Sequence, residues 1–462
     1  MRRILAALCL TFFPLSAAAG PITPRDQRAV DASIRGWMTE TGAPSVSVAI
    51  VKQNKLVYAQ AYGFARRDPD VLATTRTRYA ICSVTKQFTA AAILRLQEQG
   101  RLSLDDRIAR FFPGLASADS VSLRQILSHT ATYPELWTSD FVTARMAKPV
   151  SFAAILNEWA TKPLASLPGT RWDYSNTNFI LAGAIVEKVS GQSYLDFLKA
   201  SIFAPLGMND VIESDDTPLA APDAAGYTHY GEGPTRLSPR PARGWEFAAG
   251  GLAMTPTDLA RWDISLMTRS LLNPQSYAAL YAPVKLADGG NTNYSLGLGV
   301  YERDGRLDLE HGGDGPGFTA ESIMWPAQRT AIIVFANEGS YWASSIASLR
   351  DDLVRRIAYT VLPPTEDEAR ARSIFKGLRE GRIDRGLFNA DANAYFTPAV
   401  LADEKQGLAR FAPLRFIALQ SQSDDGGIAR RNWKIVTAGG TLMAFEIDRD
   451  GKLEQFIVSK PG

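Results

Sequence analysis

Strand-forming residues cluster at the two ends of a long segment whose middle favours helices, and that division limits the folds open to this chain. Near the start, Ser45 to Lys52 and Leu56 to Ala61 are rich in β-branched and aromatic residues, among them Val46, Val48, Ile50, Val51, Val57 and Tyr58. Gln53-Asn54-Lys55 supplies the turn between them. Strand signals return at Leu307 to Glu310, Thr319 to Trp325 and Thr330 to Phe335. From Leu102 to about Ala249 the pattern is helices and long loops, including Leu123 to Ser128, Phe152 to Ala160, and Asn178 to Ser190 with Gly191 as its stop. Helices are also expected at Arg25 to Thr41, Lys86 to Gln99 and Ala343 to Val361, the first two ending at Gly42 and Gly100. One mainly antiparallel sheet, flanked by helices and split by a helical insertion, satisfies this order as an α+β fold.

The run Leu362-Pro363-Pro364-Thr365-Glu366-Asp367-Glu368 has the composition of a linker. It divides a large unit, residues 20–362, from a small α+β module at 369–462. That module is expected to open with a helix over Ala369 to Asn389. Strands follow at Phe411 to Gln422, Ala429 to Val436, Thr441 to Ile447 and Leu453 to Val458. It contains no histidine or cysteine, which points to packing or binding rather than a second active site.

Met1-Arg2-Arg3, the apolar stretch Ile4 to Leu15 and the small residues Ser16 to Ala19 describe a secretory signal peptide cleaved before Gly20. Its apolar core is too short to span a bilayer, so a periplasmic or secreted protein without a membrane span is expected. Cleavage removes Arg2 and Arg3 and takes the formal net charge from +2 to zero, which gives no reason to expect a nucleic-acid partner. It also removes Cys9, leaving Cys82 without a partner for an intramolecular disulfide. His129, His229 and His311 are the only histidines, too few with one cysteine for a His/Cys zinc centre. Neither metal nor cofactor is expected.

Ser83 and Lys86 stand where the loop after the first strands enters the helix at Lys86 to Gln99, so one helical turn presents a hydroxyl beside an amine. Alone this spacing is weak, since roughly one Ser-x-x-Lys arises by chance in a chain of this length. Its context is ordered: Tyr174-Ser175-Asn176 precedes the helix at Asn178, and His311-Gly312-Gly313 follows the strand ending at Glu310. Ala249-Gly250-Gly251 marks the return from the helical region, and Thr255 is placed to cap a helix containing Asp258 to Ser265.

With these motifs in this order, the chain resembles the serine β-lactamase and penicillin-binding-protein superfamily, in the branch related to class C β-lactamases, D-aminopeptidases, D,D-carboxypeptidases and esterases. Leu127-Ser128-His129-Thr130, Gly191-Gln192-Ser193-Tyr194 and Pro205-Leu206-Gly207-Met208 strengthen the likeness, which covers about residues 25 to 360. It implies a β-lactamase/transpeptidase-like fold. It also implies Ser83 as nucleophile, Lys86 and Tyr174 as a coupled pair that removes its proton, and the backbone N–H groups of Ser83 and Asp314 as oxyanion hole. Asn176, His311, Gly312 and Gly313 would bind substrate, with His311 placed to donate to it or to Tyr174. Cys82 is read as a small buried thiol, His129 as a structural hydrogen-bonding residue and His229 as a loop or cleft residue.

The resemblance departs in two places. His311-Gly312-Gly313 stands where penicillin-binding proteins and class C β-lactamases have Lys-Thr-Gly, so the hydroxyl and charge that grip a substrate carboxylate are missing. Thr132 replaces the glycine usual after the histidine motif. The expected function is hydrolysis of a small ester or amide, D-amino-acid or peptidoglycan-derived peptides included, through a Ser83 acyl-enzyme. The alternatives are a β-lactamase proper, acting on a lactam, or a noncatalytic envelope protein that binds muropeptides or another protein.

Overall fold

Val46, Val48 and Ile50 leave strand β1 (Ser45–Lys52) on one side, Ala49 and Val51 leave it on the other, and all five are buried. A strand of this kind lies in the middle of a sheet covered on both faces. The computed structural model describes residues 22–137, 142–229, 233–303, 306–339, 346–354, 366–425 and 427–460. Strands β2 (Lys55–Arg67), β3 (Asp70–Leu72), β4 (Gly299–Arg303), β5 (Arg306–Gly315), β6 (Phe318–Trp325) and β7 (Thr330–Ala336) complete the sheet. Its order is β3-β2-β1-β7-β6-β5-β4, antiparallel throughout. β1 pairs directly with β7, Val46 opposite Ala336 and Lys52 opposite Thr330, so the two expected strand groups form one split sheet.

Helices α1 (Pro24–Thr41) and α5 (Ile346–Leu353) cover one face, where Val30, Ile34, Trp37 and Leu349 join Val48, Ile50, Ile332 and Val334 in one core. Thr23 caps α1 by accepting from the Asp26 N–H, and Gly42 ends it in the left-handed region at φ 71°. The other face carries α2 (Thr85–Glu98), α3 (Asn176–Ser190) and α4 (Pro256–Thr268). Here Phe88, Ile93, Ile180 and Trp262 pack with Ala49, Val51, Ile333 and Phe335. Thr255 caps α4 as its sequence indicates, its hydroxyl accepting from the Asp258 N–H. Among the described residues no helix is long and apolar enough to cross a membrane.

Three expectations need correction. β5 runs on to Gly315, so His311-Gly312-Gly313 lies within the strand instead of after it. Glu366, Asp367 and Glu368 form the first turn of α6 (Glu366–Glu380), where carboxylates favour the helix N-terminus, instead of belonging to a linker. α6 stops at Gly381 (φ 77°) and does not reach Asn389. Two helices that the strand and turn signals did not indicate follow at Ala390–Tyr395 and Pro398–Leu408, capped by Asn389 and Thr397. Strands β8 (Leu414–Asp425), β9 (Ile428–Thr437), β10 (Gly440–Arg449) and β11 (Lys452–Ser459) then form a sheet in chain order. Ile374, Phe375 and Leu378 of α6 share a core with Trp433, Ile435 and Leu442. A buried ion pair, Arg306 to Glu368 at 3.3 Å, links β5 to α6. The expected signal peptide at 1–19, most of the linker, and all but 346–354 of the helix expected at 343–361 lie outside the described residues.

Asn337, fully buried just past β7, ties the sheet to the inserted region. Its Oδ1 accepts from the Ser45 N–H (2.7 Å) and hydroxyl (2.8 Å), while its Nδ2 donates to the carbonyls of Phe64, Ala65 and Ala225. Asn337→Ala leaves these buried groups unpaired, and the expected loss is about 2–4 kcal/mol, measured by denaturant unfolding with an unchanged m-value.

Candidate active site

The turn that carries Ser83, the expected nucleophile, is built from a short strand and a strained residue. Tyr79–Ala80 pairs with Leu252–Met254, and the chain then passes Cys82 at φ 46°. A non-glycine residue in this region costs on the order of 1–3 kcal/mol and persists only where its surroundings fix it. Cys82 is buried with its Sγ 3.8 Å from the Phe318 carbonyl, and burial pushes its thiol well above the usual range, which fits the expected inert thiol. One tight turn over Cys82–Val84 leads into α2, setting Ser83 before the helix and Lys86 in its first turn.

Lys86 has no exposed surface. Its Nζ lies 3.0 Å from Ser83 Oγ, 2.7 Å from Asn176 Oδ1 and 2.8 Å from the Ala249 carbonyl oxygen. Burial lowers its pKa to about 7, with the Glu135 carboxylate pulling the other way. Tyr174 donates its hydroxyl to Ser83 Oγ at 2.8 Å. Burial pushes the Tyr174 phenol above its ordinary value, with the bond to Ser83 opposing that shift. Ser83, Lys86, Tyr174 and Asn176, distant in sequence, therefore meet as the motif order implied.

His129 supports this group, in the structural role expected. Its Nδ1 accepts from the Ser175 N–H at 3.1 Å, its carbonyl accepts from the Asp173 N–H at 2.8 Å, and its ring packs 4.2 Å from that of Tyr174. An accepting Nδ1 leaves the proton on Nε2, and burial holds the ring neutral. Thr132, standing in for the usual glycine, keeps a left-handed backbone at φ 62°. Two hydrogen bonds with Ser166 fix it, its hydroxyl donating to the carbonyl at 2.7 Å and accepting from the N–H at 3.2 Å. His229 lies beside Glu338 at 3.9 Å.

Glu135, which the motifs did not single out, accepts from the Asn176 N–H (2.6 Å), from Asn176 Nδ2 (3.1 Å) and from the Trp137 N–H (2.5 Å). The Ala249 carbonyl is a second unforeseen contributor, because a backbone oxygen leaves no mark in the side-chain pattern.

Strand β5 closes the other side. A Cβ on Gly313 would stand 2.2 Å from the Ile81 carbonyl oxygen and 3.1 Å from Ser83 N, so only glycine lets β5 lie against the turn that carries Ser83. β5 pairs with β4 no further than Glu310 opposite Gly299, so its His311–Gly315 edge has no strand partner among the described residues. His311 behaves differently from expectation. Its Nδ1 bonds the Gly312 carbonyl at 2.6 Å, which can only accept, so its Nε2 accepts from the Tyr294 hydroxyl at 2.8 Å. Both nitrogens are thus engaged away from Tyr174, and burial lowers the ring's pKa to about 4.

Cys82, Ser83, Tyr174, Asn176, His311 and Gly312 line a cavity of about 380 Å³ together with Trp137, Trp245, Glu246, Asp314 and Pro316. Its described lining holds two carboxylates and no lysine or arginine. Glu246 is buried; burial raises its carboxyl to about 7 against the pull of Arg240, 3.1 Å away. Among the described residues no group of three or more His, Cys, Asp or Glu side chains could hold a metal ion.

A protein-family model described as Beta-lactamase matches residues 30–350. This chain belongs to the beta-lactamase family. Membership brings the serine-based hydrolytic mechanism common to such enzymes and accounts for the split sheet and the ordered motifs. Penicillin-binding protein 4* of Bacillus subtilis is 27% identical over 63% of this chain and 68% of its own length. Protein flp of Staphylococcus aureus is 26% identical over 74% of this chain and 69% of its own. The octameric penicillin-binding protein homologue from Pyrococcus abyssi has the same fold, with a TM-score of 0.63 and 22% identity, over 94% of this chain and 100% of its own. The D-amino acid amidase from Ochrobactrum anthropi SV3 complexed with L-phenylalanine amide matches at a TM-score of 0.63 with 23% identity, over 73% of this chain and 99% of its own.

Gly313→Ala tests how closely this beta-lactamase-family site is packed. With its Cβ inside contact distance of Ile81 and Ser83, the variant is expected to lose about 1–3 kcal/mol of stability. Its labelling by an acylating probe, followed by intact mass, should be about a hundredfold slower than that of the wild type.

Proposed function

We propose that this protein hydrolyses a small ester or amide through an acyl-enzyme on Ser83, with Lys86 as the proton acceptor. The arrangement around Lys86 carries the reading. A neutral amine has two N–H bonds and one lone pair, and the Asn176 and Ala249 oxygens, at 2.7 and 2.8 Å, can take both N–H bonds. The lone pair is then left for the Ser83 hydroxyl at 3.0 Å. Tyr174, held as a neutral phenol by burial, serves as donor instead of acceptor.

In the first half-reaction Ser83 Oγ bonds to the substrate carbonyl carbon and its proton passes to Lys86 Nζ. The backbone N–H groups of Ser83 and Asp314 steady the oxyanion. Collapse breaks the bond to the leaving oxygen or nitrogen, which takes the proton that Lys86 gained, so that Lys86 is neutral again and Tyr174 remains a phenol. Water then attacks the acyl-enzyme by the same route, releasing the acid and restoring Ser83. Asn176, His311, Gly312 and Gly313 frame the bound substrate.

The cavity's charge narrows the substrate. Asp314 on the wall, with Glu246 already paired to Arg240 and no cation among the described lining residues, favours a neutral or ammonium-bearing acyl group over one that ends in a carboxylate. An aminoacyl amide or ester therefore ranks ahead of a β-lactam or a peptide ending in D-alanine. The similarity to D-amino acid amidase agrees with this order. The signal peptide expected from the first residues supports encounter with such substrates outside the cytoplasm.

A fluorophosphonate probe is expected to add one adduct to the protein and none to Ser83→Ala; an unlabelled but folded wild type would leave a noncatalytic binding role. Across a panel, kcat/KM for D-alanine p-nitroanilide and p-nitrophenyl acetate should exceed that for nitrocefin by at least about tenfold. Because the reaction needs neutral Lys86, kcat/KM should fall as pH drops through about 7, and a flat profile from pH 5 to 8 would contradict the assignment.

A further inference from the structure

The amide of Asn176 has two chemically opposite ends, and the proposed chemistry works with only one of them turned toward Lys86. We infer that Glu135 is a positioning residue that sets which end faces Lys86 and so aims the lysine lone pair at Ser83; this rests on the reading of Lys86 as proton acceptor.

A carboxylate only accepts hydrogen bonds, an amide NH2 only donates, and an amide oxygen only accepts. Glu135 stands 3.1 Å from Asn176 Nδ2 and takes the same residue's backbone N–H at 2.6 Å, so both the side chain and the start of α3 are anchored to one carboxylate. The Trp137 N–H at 2.5 Å fixes the carboxylate in turn. With its NH2 end committed to Glu135, Asn176 presents Oδ1 to Lys86 at 2.7 Å. The reversed amide would set donor against donor at a protonated Lys86 and acceptor against acceptor at Glu135. It would also remove one of the two oxygens that draw the N–H bonds of neutral Lys86 away from Ser83.

Glu135 also supplies charge. The groups that act on Lys86 are Glu135, the Cys82 thiol, and the rings of His129 and His311, the last three all held neutral by burial. The Tyr174 ring, a neutral phenol, lies 4.9 Å from Nζ, and Glu246 and Asp314 line the same cavity. Removing the Glu135 charge while keeping the side chain's shape should make Lys86 give up its proton more readily. It should also make the free base less well aimed. Loss of fold alone would not produce that combination.

The experiment is the pH dependence of kcat/KM for p-nitrophenyl acetate in wild type, Glu135→Gln and Glu135→Asp. In Glu135→Gln the acid limb should move down by about one pH unit and the plateau should fall about tenfold or more. Glu135→Asp, which keeps the charge, should leave the limb within a few tenths of its wild-type place. A plateau that falls in Glu135→Gln while the limb stays put, or a profile that does not change, overturns the inference. A wild type with no limb near pH 7 overturns the assignment of Lys86 and this inference together, whereas a wild-type limb that Glu135→Gln leaves unmoved overturns this inference alone.

Discussion

A buried lysine must be either paired with a negative charge or made neutral, and Lys86 meets that demand with oxygens from three separate elements. Ser83 comes from the turn before α2, Asn176 from the first residue of α3, and Ala249 from the stretch that returns to the sheet. An isolated charge at such a position costs several kcal/mol, so the amine gives up its proton more easily than a lysine in water. The same burial that would penalise a structural lysine gives this one a pKa near neutral, as the proposed role of base requires. The helical insertion has a clear physical task here: it carries Tyr174 and Asn176 back to a helix that follows the first strands.

The other constraint is the close approach of β5 to the nucleophile turn. Gly313 admits it, and the left-handed Cys82 turns the chain so that Ser83 faces the cavity. Strain at Cys82 is offset by the packing around it, which includes Phe318 and the short strand Tyr79–Ala80. The cavity that results has aromatic and carboxylic side chains on its walls, and its described lining holds no cation that would attract a carboxylate. Replacement of Lys-Thr-Gly by His311-Gly312-Gly313 thus changes more than one contact. His311 spends both nitrogens on Gly312 and Tyr294, so the position contributes shape instead of charge.

Much of this was readable before any coordinates. The β-branched runs mark the sheet because strands buried on two faces need them, and Ser83, Lys86, Tyr174 and Asn176 were expected together from a motif order that resembles a known family. Glu135 escaped notice because its value depends on which backbone and side-chain donors the fold brings to it. The Ala249 carbonyl could not be seen at all, since every residue has one. Gly312 and Gly313 were expected after the strand but lie within β5, where the missing Cβ of Gly313 lets the strand touch the turn before α2. The helix at Pro398–Leu408 does carry a sequence signal, Thr397 as cap followed by proline at the first helical position, whereas Ala390–Tyr395 is marked only by its Asn389 cap.

The protonation state of Lys86 in the resting enzyme is the most direct point of test. With lysine Cε labelled by ¹³C, a pH titration followed by NMR should show one resonance that shifts with a midpoint near 7, well below the others, and that disappears in Lys86→Arg. If every lysine resonance titrates near pH 10, Lys86 is a cation throughout the working range and cannot take the proton from Ser83.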